Sequence, residues 1–154
     1  MKKLILPKLC EFKTTKYKNV IKKAKRIRRT REFEKLCYPI AQDILLNYER
    51  FTKIERGPEF TGTPFDVFGF KDGAPYIIEL KSSLKQFNLP GVVQRIRMQQ
   101  VQKSIRGLKI ALLQIKLNTG EYRILYDKDL KHFLNKERRQ APIEPITDWI
   151  RKRL

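Results

Sequence analysis

The sequence predicts a mixed α/β domain, a central β-sheet flanked by helices, and three observations carry that prediction. Asp72-Gly73 lies between two apolar runs, 65–70 and 76–80, the pattern of a hairpin closed by a two-residue type I′ turn. Segment 108–115 is apolar with too little alternation for a half-exposed strand, so it reads as a strand covered on both faces. Between Arg31 and Tyr48, Phe33, Leu36, Cys37, Ile40, Ala41, Ile44, Leu45 and Tyr48 recur at helical spacing. With 154 residues the chain suits one domain that buries a core without disulfides.

The elements follow in order. Lys13, Lys16, Lys18, Lys22, Lys23, Lys25, Arg26, Arg28, Arg29 and Arg31 crowd one stretch with Glu11 as its nearby acid. Residues 1–30 are therefore expected to form a basic N-terminal arm or extension, flexible or laid as a helix against phosphates, with 31–154 as the folded domain. The competing expectation is that a strand around 9–12 is held within the fold. Pro39 should kink the helix of 31–48 or open its second half. A strand is expected around 51–54, and Gly57-Pro58 and Gly62-Thr63-Pro64 mark the loop into the hairpin. A polar loop from Lys81 reaches Leu89-Pro90-Gly91, then 92–105 reads as a helix ended by Arg106-Gly107. After strand 108–115, Asn118-Thr119-Gly120-Glu121 turns into strand 122–126, and Asp127 should cap a short helix to about Asn135. Pro142 to Pro145 form a link to a terminal turn containing Trp149.

Charge narrows the function classes. Thirty-five Lys+Arg against 16 Asp+Glu give +19 and a sequence pI near 10.2, which predicts a polyanionic partner, most simply nucleic acid. Adaptation to heat would have added glutamates as well as lysines. No apolar run reaches the ~18 residues of a membrane span, and Leu4-Ile5-Leu6 is too short for a secretory core. The expectation is an intracellular protein, cytoplasmic or nucleoid-associated, with Cys10 and Cys37 as ordinary thiols. His132, the sole histidine, is distant in sequence from the hairpin, which argues against zinc or histidine-based chemistry.

The hairpin also groups chemistry. With Asp72-Gly73 as the loop, Lys71 pairs with Ala74, and counting outward sets Asp66 opposite Glu79 in a non-hydrogen-bonded pair. Such pairs bring Cβ atoms to roughly 4.5–5.5 Å. Glu79 and Lys81 share a face by strand alternation. Facing carboxylates repel unless positive charge lies between them, and a divalent cation fits that place. The plainer reading of the three is a salt-bridge cluster on a solvated sheet face.

Asp66 followed by Glu79-Leu80-Lys81 resembles the D…(E/D)-x-K signature of the PD-(D/E)XK nuclease superfamily, which includes restriction-type endonucleases, Holliday-junction resolvases and repair nucleases. Gly62-Thr63-Pro64-Phe65-Asp66 before the hairpin, Lys81-Ser82-Ser83 after it and Gln100-Val101 extend the resemblance across residues 31–126. Pro64-Phe65-Asp66 departs from the adjacent Pro-Asp of the first motif. The resemblance implies a restriction-endonuclease-like mixed sheet and a magnesium (Mg2+) site, with Mn2+ able to substitute. Its ligands would be Asp66, Glu79, the Leu80 carbonyl and Glu34, with Glu32 as the rival of Glu34. Lys81 would orient the attacking water, beside Gln100, for which Gln99 and Gln102 are neighbouring alternatives. DNA would be gripped by Lys22, Lys23, Lys25, Arg26, Arg28, Arg29 and Arg31, with Thr61 and Thr63, in the loop before Asp66, as candidate phosphate contacts or plain turn caps. The implied activity is endonucleolytic cleavage of branched DNA by a symmetric homodimer; the alternatives are a site-specific endonuclease and a non-catalytic nucleic-acid-binding module.

Overall fold

Asp72 and Gly73 take φ of +52° and +78°, the left-handed pair that a type I′ turn requires and that an Asp-Gly dipeptide tolerates. They close the central hairpin of a computed structural model that describes residues 9–59, 63–130 and 143–154. Six strands form one mixed sheet: β1 (Cys10–Glu11), β2 (Thr52–Arg56), β3 (Val67–Lys71), β4 (Ala74–Ser83), β5 (Lys109–Lys116) and β6 (Glu121–Tyr126), in the order β1-β6-β5-β4-β3-β2. The described helices are α1 (Lys18–Ala24), α2 (Thr30–Asp43), α3 (Val92–Ser104), α4 (Asp127–Leu130) and α5 (Glu144–Arg151). β4 and β5 are parallel, joined by the α3 crossover, and the other pairs are antiparallel. The predicted α/β class and flanked sheet are observed.

Burial explains the strand patterns. β5 is the strand covered on both faces: Ile110, Ala111, Leu112, Leu113, Gln114 and Ile115 are each 0% exposed. On β4, Tyr76, Ile78 and Leu80 point into a core shared with α1 and α2, whereas Ile77 joins one shared with α3 and α5. The sheet is thus the middle of three layers.

Three expectations are corrected. The hairpin ladder runs from Lys71↔Ala74 only to Val67↔Ile78, so Asp66 is not paired with Glu79. The Asp66 N–H donates instead to the Ile78 carbonyl at 2.9 Å, so Asp66 and Val67 share one partner and the chain bends away in the manner of a bulge. Pro39 does not split α2 or open its second half; it sits inside a continuous helix, at an exposed position where water can serve the carbonyl it leaves without a donor. The break comes later, as a wide turn at Ile44–Tyr48 in which Glu49 N–H donates to Ile44 O.

The third concerns the N-terminal segment. Its described part is built into the domain: β1 adds an edge strand to β6, and Phe12, Tyr17 and Ala24 are buried in the α1–α2 core. The Tyr17 hydroxyl donates to Asp43 of α2 at 2.6 Å. Asp127 begins α4, but its carboxylate accepts the Ile110 N–H at 2.7 Å, tying the end of β6 to β5. The rest of that expected helix and His132 lie outside the described residues, as does the start of the Pro142–Pro145 link. The expected terminal turn is a full helix, α5, whose Trp149 packs on Phe65 and Phe68.

Candidate active site

The site forms where β3 ends and β4 continues. Beyond Ile78, β4 keeps its ladder with β5 up to Ser83 but has no β3 partner. Backbone groups alternate sides along a strand, so Leu80 directs its N–H and C=O toward the vacated β3 side, as Ile78 does. The Asp66 carboxylate takes the place of the missing strand: its Oδ2 accepts the Leu80 N–H at 2.8 Å. This fixes one acid in a rotamer and leaves the Leu80 carbonyl on the same open edge.

Glu79 projects beside it and is 3% exposed. Its Oε1 lies 3.6 Å from the Lys81 ammonium, while Oε2 is buried without a hydrogen-bond partner. Asp66 and Gln94 also lie against this carboxyl. Burial, then the Asp66 charge, pushes the Glu79 carboxyl well above the usual range, and Lys81 only partly opposes them. A buried acid with an orphaned oxygen, next to a second carboxylate, is costly for the fold unless a proton or a cation occupies the gap.

Glu34 completes the cluster from the other layer. Burial and the Asp66 charge raise its carboxyl, against the lowering effect of Lys81. Glu32 instead faces solvent and reaches Arg29 at 3.9 Å, so Glu34 is the α2 acid that meets the site. Glu34, Asp66, Leu80 and Ser82 line a cleft of about 290 Å³ together with Arg31, Tyr38, Arg56 and Glu59. Cys37 also borders the cleft, but burial and then Glu34 push its thiol up to about 12, which leaves it inert as a nucleophile.

Among the described residues, no three His, Cys, Asp or Glu side chains gather into a ready-made metal cage. The donor set nevertheless suits Mg2+, which keeps several waters and takes one or two carboxylates. Asp66 and Glu79 are two hard oxygen donors, the Leu80 carbonyl lies on the same edge, and the orphaned Glu79 Oε2 lacks a positive partner.

The helix glutamine falls elsewhere than expected. Gln94, in the first turn of α3, reaches Glu79 and donates to the Pro64 carbonyl at 3.0 Å. Gln100 is six residues further on, about 9 Å along the helix axis. Its carbonyl accepts the Ser104 hydroxyl, and Gln102 donates to Asp127. Gln94 was among the polar residues legible on this helix, but only the docking of α3 distinguishes it. Thr63 lines the cleft, and Thr61 lies outside the described residues.

Of the expected DNA-gripping residues, Arg31 borders the cleft directly. Lys22, Lys23, Lys25, Arg26, Arg28 and Arg29 are exposed. Lys22 and Lys25 join Lys18 along a second groove of about 300 Å³ facing Asn118 and Thr119. Arg56 and Tyr38 carried no motif and were legible only once β2 and α2 were brought together. Among the described residues no helix is long and apolar enough to cross a membrane. No protein-family model matches this chain, and no curated protein matches its sequence.

Proposed function

We propose that this protein is a Mg2+-dependent endodeoxyribonuclease of the PD-(D/E)XK type, with a restriction-endonuclease-like fold, acting on branched DNA as a homodimer. The observation that carries the reading is the buried, orphaned Glu79 carboxyl beside Asp66 and Lys81 at the edge that β3 vacates. Asp66, Glu79 and the Leu80 carbonyl would hold the ion, with Glu34 near enough to act on it through charge or an intervening water. A bound divalent cation supplies charge neutralisation at the phosphate and lowers the pKa of water. Lys81, held by Glu79, then orients the attacking water and carries positive charge toward the phosphate. Gln94 steadies the Glu79 carboxyl and ties α3 to the loop before Asp66. The net charge of +19 and the exposed lysines of α1 supply non-specific grip on the backbone.

The test is a cleavage panel of four-way junction, flap, splayed and linear duplex DNA with Mg2+, run beside Asp66→Asn and Glu79→Gln. Cleavage of branched substrates that both substitutions abolish is the expected result. Cutting confined to particular sequences in linear duplex would move the assignment to a site-specific endonuclease. DNA binding without cleavage, and no response of thermal stability to Mg2+ or Mn2+, would overturn the enzyme reading in favour of a binding module.

A further inference from the structure

We infer that Arg56, stacked on Tyr38, is a preformed clamp for a DNA phosphate beside the scissile bond; the inference rests on the nuclease reading and identifies how that site holds its substrate. Arg56 ends β2 opposite Val67, and the next residue, Gly57, donates its N–H to the Asp66 carbonyl at 2.8 Å. The root of the arginine is therefore fixed by backbone bonds to the residue that carries the first acid. Its guanidinium carbon stands 4.2 Å from the centroid of the Tyr38 ring. Tyr38 follows Glu34 by four residues and Arg31 by seven, so one stripe of α2 presents all three to the cleft.

The stack decides what Arg56 can do. Held over the ring, the guanidinium loses rotational freedom but keeps N–H groups for a bidentate anion. Among the described residues no carboxylate stands within ion-pair distance of Arg56 or Arg31. Asp66 and Glu34 line the same cleft and repel a phosphodiester. Arg56 and Arg31, which line the cleft with them, oppose that repulsion and select a phosphate over a neutral ligand. Lysine could supply the charge but not the planar fork or the stack.

The experiment compares Arg56→Lys, Arg56→Gln, Tyr38→Phe and Tyr38→Leu with the wild type. Single-turnover cleavage in Mg2+ and binding of a fluorescein-labelled duplex in EDTA are measured at several salt concentrations. Arg56→Lys and Tyr38→Leu should each lower single-turnover kcat/KM by about tenfold or more, the loss of an oriented charged hydrogen bond. Tyr38→Phe, which keeps the ring, should cleave like wild type. Arg56→Gln should flatten the salt dependence of binding by the equivalent of about one phosphate. The Mn2+-induced rise in melting temperature should be unchanged in all four, separating the clamp from the metal site. Wild-type cleavage by Arg56→Lys together with an unaltered salt slope in Arg56→Gln would overturn the clamp. Should no protein cleave or respond to Mn2+, the nuclease reading falls, and the EDTA binding comparison still decides whether Arg56 holds phosphate.

Discussion

At Glu79 the fold accepts a local cost. A carboxyl whose folded pKa is raised binds its proton more tightly in the native than in the unfolded state. Stability from this group is therefore full below the ordinary glutamate range and is lost as pH rises through the raised folded value. Glu79→Gln removes the buried charge while keeping the shape. It should raise the melting temperature at neutral pH, with the advantage vanishing near pH 4, while abolishing cleavage. Thermal melts across pH check this; a lower neutral-pH melting temperature for the variant would contradict it. Mg2+ or Mn2+ should stabilise the wild type and do much less for Glu79→Gln. Lys81→Ala should cost about a hundredfold or more in single-turnover cleavage with little change in DNA affinity, because one ammonium is central to the site but minor within +19. If Lys81→Ala shifted affinity alone, Lys81 would be an ordinary phosphate-binding residue. Gln94→Ala should slow cleavage more than Gln100→Ala, since Gln94 lowers the pKa of the Glu79 carboxyl and holds the Pro64 carbonyl in the loop before Asp66.

The hairpin shows how far pattern reading reaches. Its turn type and its pairs from Lys71 to Val67 follow from Asp72-Gly73 and alternation, but its end does not. The ladder stops because Asp66 gives its N–H to Ile78 and its carbonyl to Gly57 of the β2 exit, a competition that no local pattern contains. The same applies to α2: apolar spacing locates the helix, whereas the tolerance of Pro39 depends on that position reaching water. Packing between β2 and β3 gives an element-level test. A Cβ on Gly69 would stand 2.8 Å from the Ile54 side chain, so Gly69→Ala should destabilise by about 1–3 kcal/mol. Ile54→Ala in the same chain should recover part of that loss, read by urea denaturation. Equal stability of Gly69→Ala and wild type would mean that β2 yields easily.

Across the whole molecule, the basic N-terminal segment serves both packing and charge. Phe12, Tyr17 and Ala24 are buried while Lys18, Lys22 and Lys25 face the second groove. Deletion through Arg29 should therefore lower the melting temperature by roughly 10 °C or more, since each large apolar side chain removed from a core is worth about 1.5–3 kcal/mol. Replacing Lys22, Lys23, Lys25 and Arg26 with Gln should leave the melting temperature nearly unchanged. It should also reduce the salt slope of DNA binding by about 0.9 for each phosphate that is no longer neutralised. An unaltered slope in that quadruple variant would place the main DNA surface elsewhere, with the cleft wall of Arg31 and Arg56 the next to test.

The sequence by itself determined the α/β class, the hairpin turn, the doubly covered strand β5 and the shared face of Glu79 and Lys81. Each of these is written in neighbouring residues, as period, turn dipeptide or spacing along one strand. Tertiary structure alone decided that Glu34 rather than Glu32 meets Asp66, that Gln94 is the helix glutamine at the carboxyl, and that Arg56 lies on Tyr38. Those choices depend on the rotation and docking of whole elements against the sheet. Several polar residues on α2 and α3 are locally equivalent, and only the packing of buried faces selects the one that points inward.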